Sequence, residues 1–266
     1  MKIGIVGATG RMGQMLVKEV LSHANQCELS GVTARAVSKY VGQDIGEVCG
    51  MGTIGTQITD KGLEVIKSSD AIIDFTSPEA SIEHAKICAQ RGVIHIIGTT
   101  GLNKDQEHEL QKIASQTPII YAPNMSVGVN LLLSLVEQAA QKLSDEYDIE
   151  IFEAHHKHKV DAPSGTALAL GQAAANGRNI KLPNVAITAR EGITGERETG
   201  QIGFSVMRGG DIAGEHTVYF ATEGERLELS HRASNRNIFA KGAIKAALWA
   251  KDQPPGLYTM KDVLGL

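Results

Sequence analysis

The stretch Lys2–Gly13, KIGIVGATGRMG, decides the fold of this chain. An apolar run is followed by glycines at positions 7, 10 and 13, and a helical pattern then extends from about Arg11 to His23. Glycine at these positions lets the backbone approach a pyrophosphate, and the helix start directs N–H groups and the positive end of its dipole at the phosphates. The pattern therefore predicts a strand–turn–helix unit that binds a dinucleotide.

Four more apolar runs follow in the first half of the chain, over residues 28–33, 71–75, 93–98 and 118–122. Helical patterns lie between several of them, which is typical of βαβ units and a parallel sheet. The glycine-rich segment 34–69 shows no clear element. We therefore predict an α/β fold that begins with a Rossmann-like dinucleotide-binding domain.

The pattern changes after Tyr121. A strong helix is predicted over 129–143, a strand over DIEIFEAHH (148–156), and a second helix from the PSGT turn at 163–166. Along the strand, alternation puts residues 149, 151, 153 and 155 on one face. Strand-like runs joined by glycine-rich turns then fill 185–232, at a spacing typical of antiparallel hairpins.

The last helical stretch, IFAKGAIKAALWA, can pack back on the first domain. The simplest division is a dinucleotide-binding domain of residues 1–126 and 235–266, and an α+β domain of residues 127–234. We expect the second domain to bind the substrate.

The composition limits the class of protein. Hydrophobic residues make up 42% of the 266 residues and charged residues 21%, which is ordinary for a globular protein. The net charge of -4 and the lack of a long basic run argue against nucleic acid and membranes as partners. Cys27, Cys49 and Cys88 are too few and too scattered for a disulfide framework or a zinc site. With no signal sequence and no transmembrane run, we expect a reduced, cytoplasmic protein.

The segment Glu153–Ala167, EAHHKHKVDAPSGTA, places three histidines and two lysines directly before a helix start. A metal site is disfavoured, because adjacent residues of an extended segment face opposite ways, the lysines repel a cation, and no thiolate cluster accompanies them. The cations and the N–H groups at 164–166 suit a small polyanion. His155 ends an apolar strand, so its ring can be oriented as a proton donor near neutral pH. An exposed polar loop is the other interpretation, and it fits Lys157 better than the whole set.

Two arginines favour NADPH over NADH. The second strand of an NAD-binding unit usually ends in Asp or Glu, which binds the ribose hydroxyls. This chain has Ala34-Arg35 there, and Arg11 lies in the glycine turn, so both cations suit a 2′-phosphate. A solvated surface charge is the alternative role for Arg35. Two later loops, 98–101 and 122–125, follow strands where cofactor contacts belong, and their small residues and hydroxyls suit a nicotinamide.

The chain resembles the 4-hydroxy-tetrahydrodipicolinate reductase family, also called dihydrodipicolinate reductase, in GATGRMG, DFTSPEA, GTTGL, APNMSVGVN, EAHHKHKVDAPSGTA, REGITGER and GEHTVYF. The resemblance runs from the first strand to the last helix, and the EAHHKHKVDAPSGTA block is its most specific part. It implies NAD(P)H-dependent reduction of a small cyclic dicarboxylate to tetrahydrodipicolinate, on the diaminopimelate route to lysine. It also implies a substrate domain with a mixed sheet and a homotetramer built through that sheet.

The resemblance implies residue roles as well. His155 matches a histidine described as a proton donor or acceptor, and Lys159 matches a proton-donating lysine. Substrate-binding positions are matched by His156, Gly165 and Thr166. The cofactor-binding positions implied are Gly7, Ala8, Thr9, Gly10, Arg11, Met12, Arg35, Gly98, Thr99, Thr100, Ala122, Pro123, Asn124 and Met125. Many bacterial members carry an acid where this chain has Ala34, and this departure supports NADPH over NADH.

Two other classes of protein stay open. A semialdehyde dehydrogenase of the aspartate type needs a nucleophilic cysteine, and none of the three cysteines lies near the basic cluster in the sequence. A nucleotide-sensing regulator would use the same glycine turn, but it needs an effector surface, often basic and DNA-binding. The net charge and the lack of a helix-turn-helix signal argue against that surface. NADPH binding without turnover would favour the regulator.

Overall fold

The computed structural model describes residues 1–266, and the chain divides into two compact units. Unit 1 comprises Met1–Val127 and Asn237–Gly265, so the C-terminal segment joins the unit that the N-terminus begins. Unit 2 comprises Gly128–Arg236 together with Leu266. None of the helices has the length and apolar character that crossing a membrane requires.

The structure contains twelve strands and nine α-helices. The strands are β1 (Lys2–Val6), β2 (Glu28–Thr33), β3 (Ile58–Thr59), β4 (Ala71–Asp74), β5 (Ile94–Ile97), β6 (Pro118–Tyr121), β7 (Asp148–His155), β8 (Ala186–Ile187), β9 (Ile202–Arg208), β10 (Gly214–Thr222), β11 (Glu225–Ala233) and β12 (Gly256–Tyr258). The helices are α1 (Arg11–Ser22), α2 (Ile45–Val48), α3 (Gly62–Lys67), α4 (Pro78–Arg91), α5 (Lys104–Ile113), α6 (Val127–Lys142), α7 (Gly165–Gly177), α8 (Asn237–Ala250) and α9 (Met260–Leu264).

Unit 1 is built on a seven-stranded sheet in the order β12-β6-β5-β4-β1-β2-β3. All of its strand pairs are parallel. The order reverses between β1 and β4, and ligands of open α/β sheets bind outside the carboxyl ends of the strands at such a point. The predicted α/β fold with a Rossmann-like parallel sheet is therefore confirmed.

Segment 34–69 contains three short elements, α2, β3 and α3, that periodicity did not locate. A single carboxylate organises much of it. Asp44 caps α2 by accepting from the backbone N–H of Gly46, and it also accepts from the N–H groups of Ile54 and Gly55. Polar contacts of one side chain therefore fix α2 and residues 54–55, and such contacts leave no helical or strand period in the sequence.

Helix α8 packs into the core of unit 1 through small residues. Its buried positions are mostly alanine, including Ala240, Ala243 and Ala247. A Cβ at Gly242 would lie 1.7 Å from the carbonyl oxygen of Met125, so the helix approaches the backbone closely. Alanine and glycine therefore make this close packing possible.

Unit 2 is built on a five-stranded mixed sheet in the order β11-β10-β7-β9-β8. Only β10 and β11 form the predicted antiparallel hairpin. Strand β7 inserts between β10 and β9, antiparallel to the first and parallel to the second. The expectation of successive hairpins is therefore wrong for β8 and β9, which pair in parallel. Turn spacing alone cannot reveal that an earlier strand occupies the middle of the sheet.

The core of unit 2 lies on one face of its sheet. Buried side chains of α6 and α7 pack there against Ile149, Ile151, Val218 and other apolar strand residues. On the opposite face, Phe152 of the central strand β7 is half-buried and pairs across the strands with Thr217 and Ser205. The two faces of the sheet are therefore unequal, with one covered by helices.

Candidate active site

The glycine turn of unit 1 is held with its backbone close to α1. Gly7 has a φ of 69°, in the left-handed region that glycine adopts readily. A Cβ at Gly13 would lie 2.4 Å from the Gly7 carbonyl oxygen, so only glycine allows this approach. A Cβ at Gly10 would instead make only an ordinary contact at 3.4 Å. Packing within the protein thus does not require glycine at Gly10, whereas the predicted close approach of a dinucleotide phosphate would.

The end of β2 lies beside this turn and carries no acid. The N–H of Ala8 donates to the carbonyl oxygen of Thr33 at 2.8 Å, which joins the turn to β2. Ala34 is buried, and its N–H donates to Thr59. Arg11 and Arg35 are both exposed. The end of β2 therefore carries a buried alanine and an exposed arginine where NAD-preferring proteins carry an acid.

The threonine hydroxyl of the loop after β5 faces inward. Thr99 is only 4% exposed. Its Oγ1 accepts from the backbone N–H of Thr76 at 3.1 Å and lies 2.7 Å from the hydroxyl oxygen of Ser81. The Thr99 hydroxyl is therefore hydrogen-bonded inside the unit, and the contact of this loop with a nicotinamide stays a prediction. A contact of Thr99 with a cofactor would come from its backbone. Thr100 is exposed, so its side chain is accessible.

Asp74, at the end of β4, anchors the same loops and was missed in the sequence. Its Oδ1 accepts from the backbone N–H and the hydroxyl of Thr76 at 2.9 and 2.6 Å. Its Oδ2 lies 2.8 Å from His84 Nδ1 and 3.4 Å from His95 Nε2. Burial alone would raise the pKa of Asp74, but the hydrogen bond from His84 and the nearby His95 ring outweigh it and hold the pKa well below its usual range.

The loop after β6, residues 122–125, presents two accessible side chains. Ala122 and Met125 are buried, Pro123 is exposed and Asn124 is half-buried. Asn124 Oδ1 accepts from the backbone N–H of Ser126 at 2.9 Å, which orients the amide. Directly after β5, a Cβ at Gly98 would lie 2.2 Å from the Phe75 ring, so a side chain there would displace that ring.

Unit 2 contains a second hydrogen-bonded centre around Glu153, which is 1% exposed. Its Oε2 lies 2.5 Å from His155 Nδ1. Arg208 donates from both terminal nitrogens, at 2.8 and 2.7 Å, and the backbone N–H of Ser164 donates at 2.9 Å. Burial alone would raise the pKa of Glu153, but the bonds from Arg208 and His155 outweigh it and lower the pKa. Glu153 is therefore a buried carboxylate that accepts four hydrogen bonds.

His155 is one of these donors, and its side chain is 12% exposed. Burial lowers the pKa of His155, and the hydrogen bond to Glu153 only partly offsets this. The ring of His216 lies edge-on to it, with 5.1 Å between centroids. Burial, followed by the charge of His155, lowers the pKa of His216 to about 4. His216 Nε2 also lies 3.2 Å from the hydroxyl oxygen of Ser164, which caps α7.

Lys159 and His156 of the basic cluster have defined partners. Lys159 Nζ binds both carboxylate oxygens of Asp161, at 2.7 and 2.8 Å. His156 Nε2 lies 3.0 Å from a terminal nitrogen of Arg236, an arginine that the sequence motifs did not single out. No group of three or more His, Cys, Asp or Glu side chains is arranged to hold a metal ion.

The helix start that follows the cluster is well ordered for anion binding. Ser164 Oγ accepts from the N–H of Ala167 at 3.1 Å and begins α7. Gly165 is exposed and Thr166 half-buried, and a Cβ at Gly165 would meet nothing within 4 Å. Space for a neighbouring group is therefore present beside Gly165 at the positive end of the helix dipole, where the backbone of Gly165 also hydrogen-bonds the Asp161 carboxylate.

The three cysteines are all buried, and burial raises the pKa of each thiol. A thiol held in this protonated form is a poor nucleophile. The structure thus provides no activated cysteine of the kind that a semialdehyde dehydrogenase uses.

Comparison with known proteins identifies relatives along the whole chain. Residues 1–125 match the model of the dihydrodipicolinate reductase N-terminus, and residues 128–264 match that of its C-terminus. The chain is 52% identical over 264 residues to the 4-hydroxy-tetrahydrodipicolinate reductase of Dinoroseobacter shibae, covering 99% of this chain and 98% of the relative. It is 51% identical over 267 residues to that of Brucella melitensis, covering 100% and 99%. A solved structure of dipicolinate-bound dihydrodipicolinate reductase from Paenisporosarcina sp. TG-14 is similar with a TM-score of 0.76, 26% identity and 97% coverage of both chains.

Proposed function

Because this chain belongs to the dihydrodipicolinate reductase family, we propose that it catalyses the reaction for which its relatives are named. It is an NAD(P)H-dependent oxidoreductase that reduces 4-hydroxy-tetrahydrodipicolinate, or dihydrodipicolinate after loss of the hydroxyl, to tetrahydrodipicolinate. The reaction belongs to lysine biosynthesis through diaminopimelate. The observation that carries the proposal is an oriented histidine, His155, in the same short segment as Lys159 and a helix start.

The proposed roles divide between the two units. Unit 1 binds the cofactor through the glycine turn, Arg35 and the loops after β5 and β6. Unit 2 binds the substrate. His156 holds the substrate carboxylates together with Gly165 and Thr166 at the start of α7. The N–H groups and the helix dipole there favour negative charge. The cation of Arg236, 3.0 Å from His156, supports anion binding at the same histidine.

The chemistry requires one hydride and one proton. A bound reduced nicotinamide would supply the hydride to the ring carbon of the conjugated imine, and the substrate would then be an electron-rich, enamine-like species. His155 or Lys159 then donates the proton that this species takes up. Cations and backbone N–H groups around the substrate stabilise the negative charge that builds in the transition state.

The cofactor is a nicotinamide dinucleotide, and we propose that NADPH is preferred to NADH. The support is the pair of exposed arginines, Arg11 and Arg35, together with the buried methyl group of Ala34 where NAD-preferring proteins carry an acid. An alanine cannot accept hydrogen bonds from the ribose hydroxyls, whereas arginine binds a phosphate through charge-assisted hydrogen bonds.

A coupled assay tests the function. The substrate is generated fresh from pyruvate and aspartate semialdehyde, and NADPH oxidation is followed with the wild type, Lys159→Ala and His155→Ala. We expect rapid oxidation by the wild type and a loss in kcat of about 10²–10⁴-fold in each variant, because a general acid typically contributes this much. The Kd for NADPH should stay unchanged in both.

Lys181→Ala is the matched control, since Lys181 is an exposed lysine outside the segment. It should keep wild-type turnover. Near-normal turnover in Lys159→Ala or His155→Ala would contradict the role of that residue. A folded wild type that binds NADPH but oxidises none of it would contradict the proposed reaction and favour a nucleotide-sensing protein.

A further inference from the structure

Glu153 connects the parts of unit 2 to which the proposed function assigns catalysis and binding. It receives hydrogen bonds from His155 at the end of β7, from Arg208 at the end of β9, and from the backbone N–H of Ser164 at the start of α7. Arg208 also donates to the carbonyl oxygen of Asp161 at 2.7 Å, next to the loop that carries Lys159. One buried ion pair therefore holds three segments that lie apart in the chain.

We propose that Glu153 is a positioning residue for proton transfer, which holds His155 with its proton on Nδ1 and leaves Nε2 to exchange a proton. Arg208 keeps the carboxylate in place. The inference rests on the proposed function for the identity of the proton acceptor. The hydrogen-bond arrangement of Glu153, His155 and Arg208 does not depend on it.

The tautomer follows from what each group can donate. A carboxylate held by an arginine can only accept, so the hydrogen atom between Glu153 and His155 belongs to Nδ1. Nε2 then carries a lone pair in neutral imidazole and a proton in imidazolium. A Cβ at Gly214 would lie 3.2 Å from Nε2, so the lack of a side chain at Gly214 keeps that side of the ring open. When imidazolium donates, the proton leaves Nε2, and the hydrogen bond at Nδ1 persists.

The charged and titratable groups around His155 come from four elements. Glu153 lies on the same strand, Lys159 on the following loop, Arg208 on β9 and His216 on β10. Glu153 is the one group among them that favours the imidazolium form, while Lys159 and Arg208 oppose it. Removing its charge should therefore lower the pKa of His155, in addition to changing the tautomer.

Glu153→Gln tests the proposal. Oε1 of Glu153 accepts from both Arg208 and the backbone N–H of Ser164, so the amide oxygen takes this position. The NH₂ group then takes the position of Oε2 and points at Nδ1, and the second bond from Arg208 is lost. Nδ1 must then accept, and the proton moves to Nε2. In ¹⁵N-histidine-labelled protein, the ring nitrogen shifts of His155, assigned with His155→Asn, should change from the Nδ1–H to the Nε2–H pattern. The titration of His155 should move to lower pH, and kcat should fall about 10²-fold with the KM for NADPH unchanged.

Glu19→Gln is the matched control. Glu19 is a buried glutamate beside a histidine, with Oε1 3.5 Å from His23 Nδ1, and it accepts from Asn237. It lies on α1 in unit 1, so its substitution should leave both the His155 tautomer and kcat unchanged.

An unchanged tautomer in folded Glu153→Gln, or an unchanged kcat, would overturn the proposal. If this variant does not fold, the neutral pair Glu153→Gln with Arg208→Gln replaces it, and the same spectral change is expected. A tautomer change in a protein whose wild type does not reduce the substrate would support the positioning by Glu153 and reject the proposed function instead.

Discussion

Glu153 and His155 lie on one face of β7, as the alternation in DIEIFEAHH predicts, and their side chains form a hydrogen bond. The other main partner of this carboxylate, Arg208, is 55 positions away in the sequence. The contact between His156 and Arg236 spans 80 positions. Local patterns describe which way a side chain points, but they carry no information on a partner from another strand. The roles of His155, Lys159 and the cofactor residues stay predictions that the experiments above test.

Arg35 allows a test of cofactor preference at the level of one side chain. Arg35→Ala should raise the Kd for NADPH about tenfold and leave the Kd for NADH within about twofold, because an exposed charge-assisted contact with a phosphate is worth about 1.5 kcal/mol. Titration of each cofactor against intrinsic or nicotinamide fluorescence measures both constants. Arg91→Ala, at another exposed arginine of unit 1, is the control. Tighter binding of NADH than NADPH by the wild type would contradict the preference.

At the scale of elements, the strand–turn–helix unit at the N-terminus was the most predictable part of the chain. Its glycine spacing follows from a local contact, because α1 approaches the backbone of Gly7 so closely at Gly13 that no side chain fits there. Helix α2 and the turn at Ile54 and Gly55 were unpredictable for the opposite reason, because Asp44 holds them by side-chain hydrogen bonds. The fold of a short segment without an apolar period is thus decided by specific polar contacts.

Gly13→Ala tests the close approach of α1 to the turn. A methyl group 2.4 Å from a backbone oxygen forces the helix away, so we expect a loss of about 2 kcal/mol in the free energy of unfolding and weaker NADPH binding. Gly62→Ala is the control, because a Cβ there meets nothing within 4 Å at the start of α3. Its stability should be unchanged or raised by up to about 1 kcal/mol. Urea denaturation measures the free energy of unfolding of both variants. An equal change in Gly13→Ala and Gly62→Ala would contradict a role for the close approach of α1.

At the scale of the whole molecule, the sheet of unit 2 has one face covered by helices and one that is not. Phe152, on the central strand, and Met207, which is 47% exposed, lie on this second face, while the edge strand β11 is mostly exposed. Uncovered apolar side chains and an exposed edge strand favour association. We therefore propose that copies of this chain assemble through this sheet as a homotetramer, as the family resemblance implies.

Light scattering after size exclusion tests the assembly. The wild type should have about four times the 28.3 kDa mass of the chain. Phe152→Arg should reduce the mass, because a charge on the central strand opposes the burial of this face. Val37→Arg, at an apolar residue of unit 1 that is 89% exposed, should keep the wild-type mass. A wild type with the mass of a single chain would contradict the proposed tetramer.

The sequence by itself determined the α/β class, the glycine turn and the family, because each depends on residue types at fixed short spacings. The tertiary structure decided the remaining features. It placed β7 in the middle of a mixed sheet, turned the Thr99 hydroxyl toward Ser81 and brought Arg208 to Glu153. These features depend on contacts between residues that lie far apart in the chain. Burial and hydrogen bonding establish such contacts only when the strands have paired, and for that reason no local pattern predicts them.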